Sequence, residues 1–514
     1  MNALKLKYFI EKYWILLILV AVKMILQFVF VNPIYDLHRD EYLHLDQAFH
    51  FSFGYISVPP FTSWIARIIY LFGGGIFWIR LFPALFGALT IVLVWLIVEE
   101  TGGRLQAKIL ASILLVFSVL VRINLLFQPN SFDILAWTGV FYFLIKYINT
   151  QQNRWIIVLS ILISLGLYNK YNIVFLLTGL LAGFLLTAQR TIFTKKIFYV
   201  AIALCLILFL PNIIWQIRND FPVIHHMKAL NDSQLVHVNR LDFLFDQLKL
   251  GLVGLLTLAA FWALAYYKPF KPYRFIGWTF VVVVMLYISG RAKSYYTIGL
   301  YPVLFALGSV YLEVVLKKWK AVVFPLLALS HIVVFLGILK YLMPYQNPTE
   351  IIENHLSYEK LGLLHWEDGK VHPLPQDFSD MLGWREMADK TLIAYQQIPE
   401  NERKNTLVFC DNYGQTGAVN YYNRTKMPEA HSFATDYIYW LPDHKKIQNI
   451  VFVGQLPDQK VMEMFREYKL VGVVENEYSR EKDTRIFLLL GAHDAVTEMF
   501  YKLAEKRKQD FDVF

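Results

Sequence analysis

Cysteine is almost absent: Cys205 and Cys410 are the two in 514 residues. One lies in an apolar run and one in a polar tail, so no disulfide framework follows and both read as packing residues. Charge is also scarce, at 17% Asp, Glu, Lys and Arg, while 56% of the chain is hydrophobic. That balance excludes an ordinary soluble protein of this length. The glycine run 73–75 is not followed by the Lys-Ser/Thr of a phosphate loop, the tail has no Gly-x-Gly-x-x-Gly, and no Gly-x-Ser-x-Gly elbow occurs. Nucleotide binding and elbow-type serine hydrolysis lose their footing. Solenoid repeats and low-complexity segments are missing too. The net charge of +9 is scattered between apolar runs rather than gathered in a stripe, which excludes a nucleic-acid partner and reads as topology signal.

What remains is a membrane chain. Apolar windows of spanning length fall near 13–31, 79–99, 106–122, 131–149, 155–169, 171–188, 196–215, 243–267, 275–289, 295–316 and 321–343, predicting about eleven spans. The pair around Tyr168-Asn169-Lys170-Tyr171 is short on each side and reads equally as one broken segment. Aromatics at 16% suit the headgroup zone. The first run lacks a cleavage pattern and is expected to stay as an anchor. Lys5, Lys7, Lys12, Arg104, Lys108, Arg154, Arg190, Lys195, Lys196, Lys268, Lys271, Arg274, Lys317, Lys318 and Lys320 fall in alternate connections. The positive-inside rule then puts the N-terminus in the cytoplasm and the tail outside, in a multi-pass protein of the cytoplasmic membrane.

Two domains are expected: a membrane domain over 1–343 and an extracytoplasmic α/β domain over 344–514. In the long first loop, 32–78, the stretches 48–53 and 61–70 look like interfacial amphipathic helices on either side of Pro59-Pro60. Beyond Pro344 the composition turns polar, and 406–410, 450–453, 470–474 and 485–490 read as strands, with 383–398 and 460–468 helical between them.

The candidates for chemistry sit mainly outside the membrane. Asp40-Glu41 follows the first span; a carboxylate there can take a proton from an acceptor, and partial desolvation is expected to make it a better base. The alternative is a helix cap. Asp133 lies just inside the fourth run, where an ionisable group faces a bundle interior and needs a cation. Lys170, Arg291 and Lys293 occupy the side on which positive charge is disfavoured, which favours phosphate binding over snorkelling. His225-His226 cannot easily converge on one metal and reads as a loop pair. No metal site is expected, although Asp40 and Glu41 leave a divalent ion possible.

Several motifs, taken in order, resemble the polytopic glycosyltransferases related to protein O-mannosyltransferases and to the aminoarabinose transferase of lipid A. They are Arg39-Asp40-Glu41-Tyr42, Gly54-Tyr55-Ile56-Ser57-Val58-Pro59-Pro60, Arg80-Leu81-Phe82-Pro83, Asp133, Gly166-Leu167-Tyr168-Asn169-Lys170-Tyr171, Pro211-Asn212-Ile213-Ile214-Trp215-Gln216 and Lys293-Ser294-Tyr295-Tyr296. In the tail, Gly383-Trp384-Arg385-Glu386 and Asp411-Asn412-Tyr413-Gly414 join them. The resemblance implies a mainly α, C-type glycosyltransferase architecture. It also implies a polyprenyl-phosphate sugar donor and inversion at the anomeric carbon, with a lipid, glycan or protein as acceptor. Asp40 would be the catalytic aspartate, with Glu41 and Asp133 as further acidic residues, and Lys170, Arg291 and Lys293 would hold the donor phosphate. Tyr42, Tyr55, Tyr295, Tyr296 and His225 are expected at the substrate. Ile56-Ser57-Val58 replaces the acidic-basic pair of the lipid A transferases, so that pair and its acceptor specificity are not carried across.

A transporter or flippase for a lipid-linked or anionic substrate is the rival class, since buried carboxylates also mark transport paths. Repeated halves and midplane helix breaks are missing from the sequence, which favours an enzyme. A lipid-linked polymer ligase differs in acceptor alone. Removing the tail is expected to change acceptor use more than donor binding.

Overall fold

The computed structural model describes residues 3–233, 239–249, 254–443 and 445–513. It is mainly helical, with one five-stranded sheet in the C-terminal region. Its contacts divide the chain into two units: Met1–Val31, Phe77–Trp215 and Ser233–Met343 form the first; Asn32–Ile76, Gln216–Asp232 and Pro344–Phe514 form the second. The boundary read from composition, a single cut at 343, therefore differs. The first loop and a short later segment group with the tail.

In the first unit, seven helices among the described residues are long and apolar enough to cross a membrane, or eight if the bent pair is counted. The expected eleven windows shrink because several are too short once hydrogen bonding is drawn. Window 106–122 becomes Leu105–Val116 and Leu120–Ile123, 155–169 becomes Arg154–Asn169, and 171–188 becomes Ile173–Leu185, bent by 107° into Ala188–Thr194. Helices of 12–16 residues reach only ~18–24 Å, short of the ~30 Å hydrocarbon core. Window 243–267 lies partly outside the described residues. Its two described parts are Arg240–Lys249 and Leu255–Tyr266, the second packing on Tyr301–Leu316 so closely that a Cβ at Gly308 would meet the carbonyl of Leu256. Small residues at such crossings let helix backbones touch where no hydrophobic effect draws them together.

In the second unit, the loop folds as helix Arg39–Gln47, an irregular stretch, and helix Phe61–Leu71. The expected helix at 48–53 does not form. Phe49, Phe51 and Phe53 stay exposed on that irregular stretch, and the helical turn begins nine residues earlier, at Arg39, because His38 and Glu41 close a capping box there. The sheet has strands β1 (Thr406–Cys410), β2 (Ala430–His431), β3 (Asn449–Gly454), β4 (Phe465–Val473) and β5 (Arg485–Ala492), in the order β2-β1-β3-β5-β4. β1 runs parallel to β2 and β3, and β5 is antiparallel to β3 and β4. The helix expected over 460–468 is confined to Gln459–Met462, and pairing with β5 claims the chain from Phe465. Helix Tyr413–Asn423 follows β1, and Gly417 lets it press against Tyr42 so closely that a Cβ there would lie only 2.9 Å from Tyr42 backbone and side-chain atoms.

Candidate active site

Helix Arg39–Gln47 presents Asp40 in its first turn, where the helix N-terminus favours a carboxylate. His38 is the N-cap: its Nδ1 accepts the Asp40 N–H at 3.2 Å, and Glu41 Oε2 accepts the His38 N–H at 2.6 Å. Glu41 is fully buried. Its carboxylate is thus committed to closing the helix end, the capping alternative that the acidic pair left open.

Asp40 has a different neighbourhood. Its side chain is 33% exposed, with Arg39 Nε 3.6 Å from Oδ1 and His38 Nδ1 3.8 Å from Oδ2. The Tyr413 hydroxyl donates to Oδ1 at 2.8 Å. Tyr413 starts the helix after β1, and Asn412, which accepts the Gln415 N–H at 3.0 Å, fixes that start. The carboxyl end of a parallel strand is where open α/β sheets carry their functional groups. Burial pushes the Asp40 carboxyl up, but His38, Arg39 and the Tyr413 hydroxyl outweigh it and hold the group down at about 2. The expected gain in basicity is reversed. The carboxylate is a firmly ionised anion, suited to orienting a hydroxyl and taking its proton late in bond formation.

Behind Asp40 lies Asp380, with a side chain only 1% exposed. Its Oδ2 is 3.5 Å from both His38 Nε2 and Arg39 Nε, and Arg480 donates to Oδ1 at 3.2 Å. Two main-chain bonds tie the same segments: Asp36 N–H to Met381 O at 2.7 Å and Arg39 N–H to Asp380 O at 3.1 Å. Further along, Asp436 accepts from Gln47 Nε2 at 2.8 Å, Ser57 Oγ at 2.6 Å and Ile56 N–H at 2.5 Å. Buried and fully bonded, it staples the loop to the tail.

Tyr42 and Tyr55, expected at the substrate, are both buried. Tyr42 is completely buried, its hydroxyl on Tyr422 at 3.2 Å and its ring edge-on to Trp384 and Tyr421. Tyr55 is buried and donates to the carbonyls of Gln47 and His50. Both are enclosed by protein. His225 stacks face to face on Phe511 at 3.7 Å, a partner outside the Asp40 cluster.

The first unit brings together a second cluster. Asp133, buried in helix Pro129–Thr150, accepts from Asn172 Nδ2 at 2.8 Å, and Tyr287 donates to Asn172 Oδ1 at 2.5 Å. Lys170 sits at the break between Arg154–Asn169 and Ile173–Leu185. It acts electrostatically on Asp133 and donates to Asn130 Oδ1 at 2.9 Å, with its ammonium 4.1 Å above the Tyr296 ring and 5.6 Å above Tyr295. The cation expected beside Asp133 is therefore Lys170, while the direct hydrogen bond comes from an amide. Arg291 is exposed at a left-handed turn (φ 51°), and Lys293 precedes the short helix Ser294–Leu300. Among the described residues no three His, Cys, Asp or Glu side chains converge as metal ligands. Glu41 and Asp40 turn to different partners, His38 N–H and the Tyr413 hydroxyl.

Sequence reasoning missed Tyr413, Asp380 and Asn172. The first two stand hundreds of positions from Asp40: Tyr413 falls in a tail motif to which the sequence attached no site role, and no local pattern marks Asp380; Asn172 is two residues past Lys170 and reads as an ordinary turn residue.

Residues 57–215 match the family described as dolichyl-phosphate-mannose-protein mannosyltransferase. That stretch contains Asp133 and Lys170 and begins after Asp40. A lipid A galacturonosyltransferase of Rhizobium johnstonii, RgtD, is 24% identical over 236 residues, which is 44% of this chain and 49% of that protein. The match thus spans about half the length of that curated relative. In three dimensions the chain is similar to ArnT from Cupriavidus metallidurans bound to undecaprenyl phosphate, with a TM-score of 0.62, 13% identity, and 93% of this chain and 98% of that chain covered. The apo state of that protein gives 0.60 and 14% over the same shares. At this identity the likeness is one of fold.

Proposed function

We propose that this chain is an inverting glycosyltransferase that moves a sugar from a polyprenyl-phosphate donor to a lipid, glycan or protein acceptor at the outer face of the cytoplasmic membrane. The observation that carries the reading is Asp40: an ionised carboxylate, partly open to solvent, at a helix start in the loop after the first span. The mannosyltransferase pattern over 57–215 supports a polyprenyl-phosphate-type donor, and the name of the curated relative favours a sugar-bearing lipid as acceptor. In this reading Asp40 orients the acceptor hydroxyl. The hydroxyl oxygen bonds to the anomeric carbon, the bond from that carbon to the phosphate oxygen breaks with both electrons leaving on the phosphate, and the proton passes to Asp40 and then to water. Lys170, with Arg291 and Lys293, would steady the negative charge that collects on the departing polyprenyl phosphate, the largest catalytic contribution expected for such a transfer. Scattered Lys and Arg in alternate connections support a cytoplasmic N-terminus.

The test is release of polyprenyl phosphate from a labelled lipid-linked sugar by the purified full-length protein. Asp40→Asn is expected to lose at least about 100-fold in turnover while still binding polyprenyl phosphate. Solute uptake into sealed vesicles with no lipid turnover would overturn the reading in favour of transport.

A further inference from the structure

We infer that the C-terminal region is part of the catalytic machinery, with Tyr413 and Asp380 acting as positioning residues for Asp40. The inference rests on the glycosyltransferase reading and extends it to residues that the reading itself does not need.

Asp40 stands in the first turn of its helix, with its side chain partly open to solvent. Within its own loop, Arg39 Nε stands 3.6 Å from Oδ1 and His38 Nδ1 3.8 Å from Oδ2. The hydroxyl of Tyr413 adds a short bond, at 2.8 Å to Oδ1. Such a bond to an ionised acceptor is short and directional, so it selects one rotamer of the carboxylate.

Asp380 works one step further out. It is buried, and its Oδ2 lies 3.5 Å from both His38 Nε2 and Arg39 Nε, which flank Asp40. Together with Glu367, whose Oε2 is 3.7 Å from Arg39 Nη2, it draws the Arg39 guanidinium away from Asp40. The Arg39 guanidinium is also held 5.6 Å over the Tyr413 ring. Tyr413 and Asp380 thus clamp Arg39 from two sides. The main-chain bonds from Asp36 and Arg39 to the 380–381 segment hold the loop and tail in register, and Asn412 fixes the turn from which Tyr413 projects. Tyr413, Asn412 and Asp380 thus bring the tail into the placing of one loop carboxylate. The expectation that tail residues bear mainly on acceptor choice is thereby narrowed: part of the tail bears on the transfer step.

The experiment uses full-length protein in lipid or detergent and two near-isosteric variants, Tyr413→Phe and Asp380→Asn, beside Asp40→Asn. For each, kcat, acceptor KM, affinity for polyprenyl phosphate and melting temperature are measured. Both positioning variants are expected to lower kcat by about tenfold, with KM and polyprenyl phosphate affinity within about twofold of the parent. Folded variants with parental kcat overturn the inference, as does a loss of turnover that merely follows loss of folded protein in both, which would assign the residues to holding the fold. Full activity in Asp40→Asn would instead sink the underlying reading, so the two failures are told apart.

Discussion

Tyr413 and Asp40 stand 373 positions apart in the chain and meet through one 2.8 Å hydrogen bond, from the phenol hydroxyl to carboxylate Oδ1. That bond makes the acidic loop and the sheet region one unit. It also separates the two carboxylates of the acidic pair: Asp40 is held for chemistry by a group from outside its loop, whereas Glu41 is spent on its own helix.

Glu41→Gln checks this division. Glutamine keeps an oxygen able to accept the His38 N–H and serves as the third residue of a capping box. Turnover within about threefold of the parent is expected, together with a slightly lower melting temperature. Asp40→Asn, equally isosteric, should be far more damaging in the same assay.

The acidity of Asp40 sets a pH signature. Its folded-state pKa of about 2 lies below the ordinary 3.8. A carboxyl depressed in this way contributes stability that is complete above its unfolded value and fades as pH falls through the folded one. Lowering the pH from about 6 to about 3 should therefore shrink any melting-temperature advantage of the parent over Asp40→Asn. In kcat/KM, no limb belonging to Asp40 is expected between about pH 5 and 8.

Lys170 is caged by Tyr296, Tyr295 and Asn130, a setting that fixes its ammonium in place. Lys170→Met is expected to weaken polyprenyl phosphate binding by about tenfold, since one charge-assisted contact is lost. Lys170→Arg should recover part of that affinity. Equilibrium titration with polyprenyl phosphate reads both.

Gly308 faces the carbonyl of Leu256 across a helix crossing, with no room for a Cβ. Gly308→Ala forces the helices apart and should cost about 1–3 kcal/mol, read as a drop of several degrees in the melting temperature in detergent. Gly337, which has nothing near its Cβ position, is the matched control; Ala there should be neutral or better.

Membrane class was legible in the sequence because burial in lipid demands long apolar runs, and nothing else in a chain produces them. The strands β1, β3 and β5 and the helix Trp384–Gln396 were legible for a similar reason: each carries its own periodicity and its own breakers. So was Asp40 as a candidate, being an acid just beyond a span. Hydropathy overcounted the spans, since it cannot distinguish a helix long enough to cross from a shorter one extended by turns. Tertiary structure alone decided that residues 32–76 group with the tail, that Tyr42 and Tyr55 are enclosed, and that Tyr413 and Asp380 govern the surroundings of Asp40. A hydrogen bond acts over about 3 Å of space, whatever the distance along the chain. Local sequence pattern records what a residue does for its own helix or strand, and contacts made hundreds of positions away leave no trace in it.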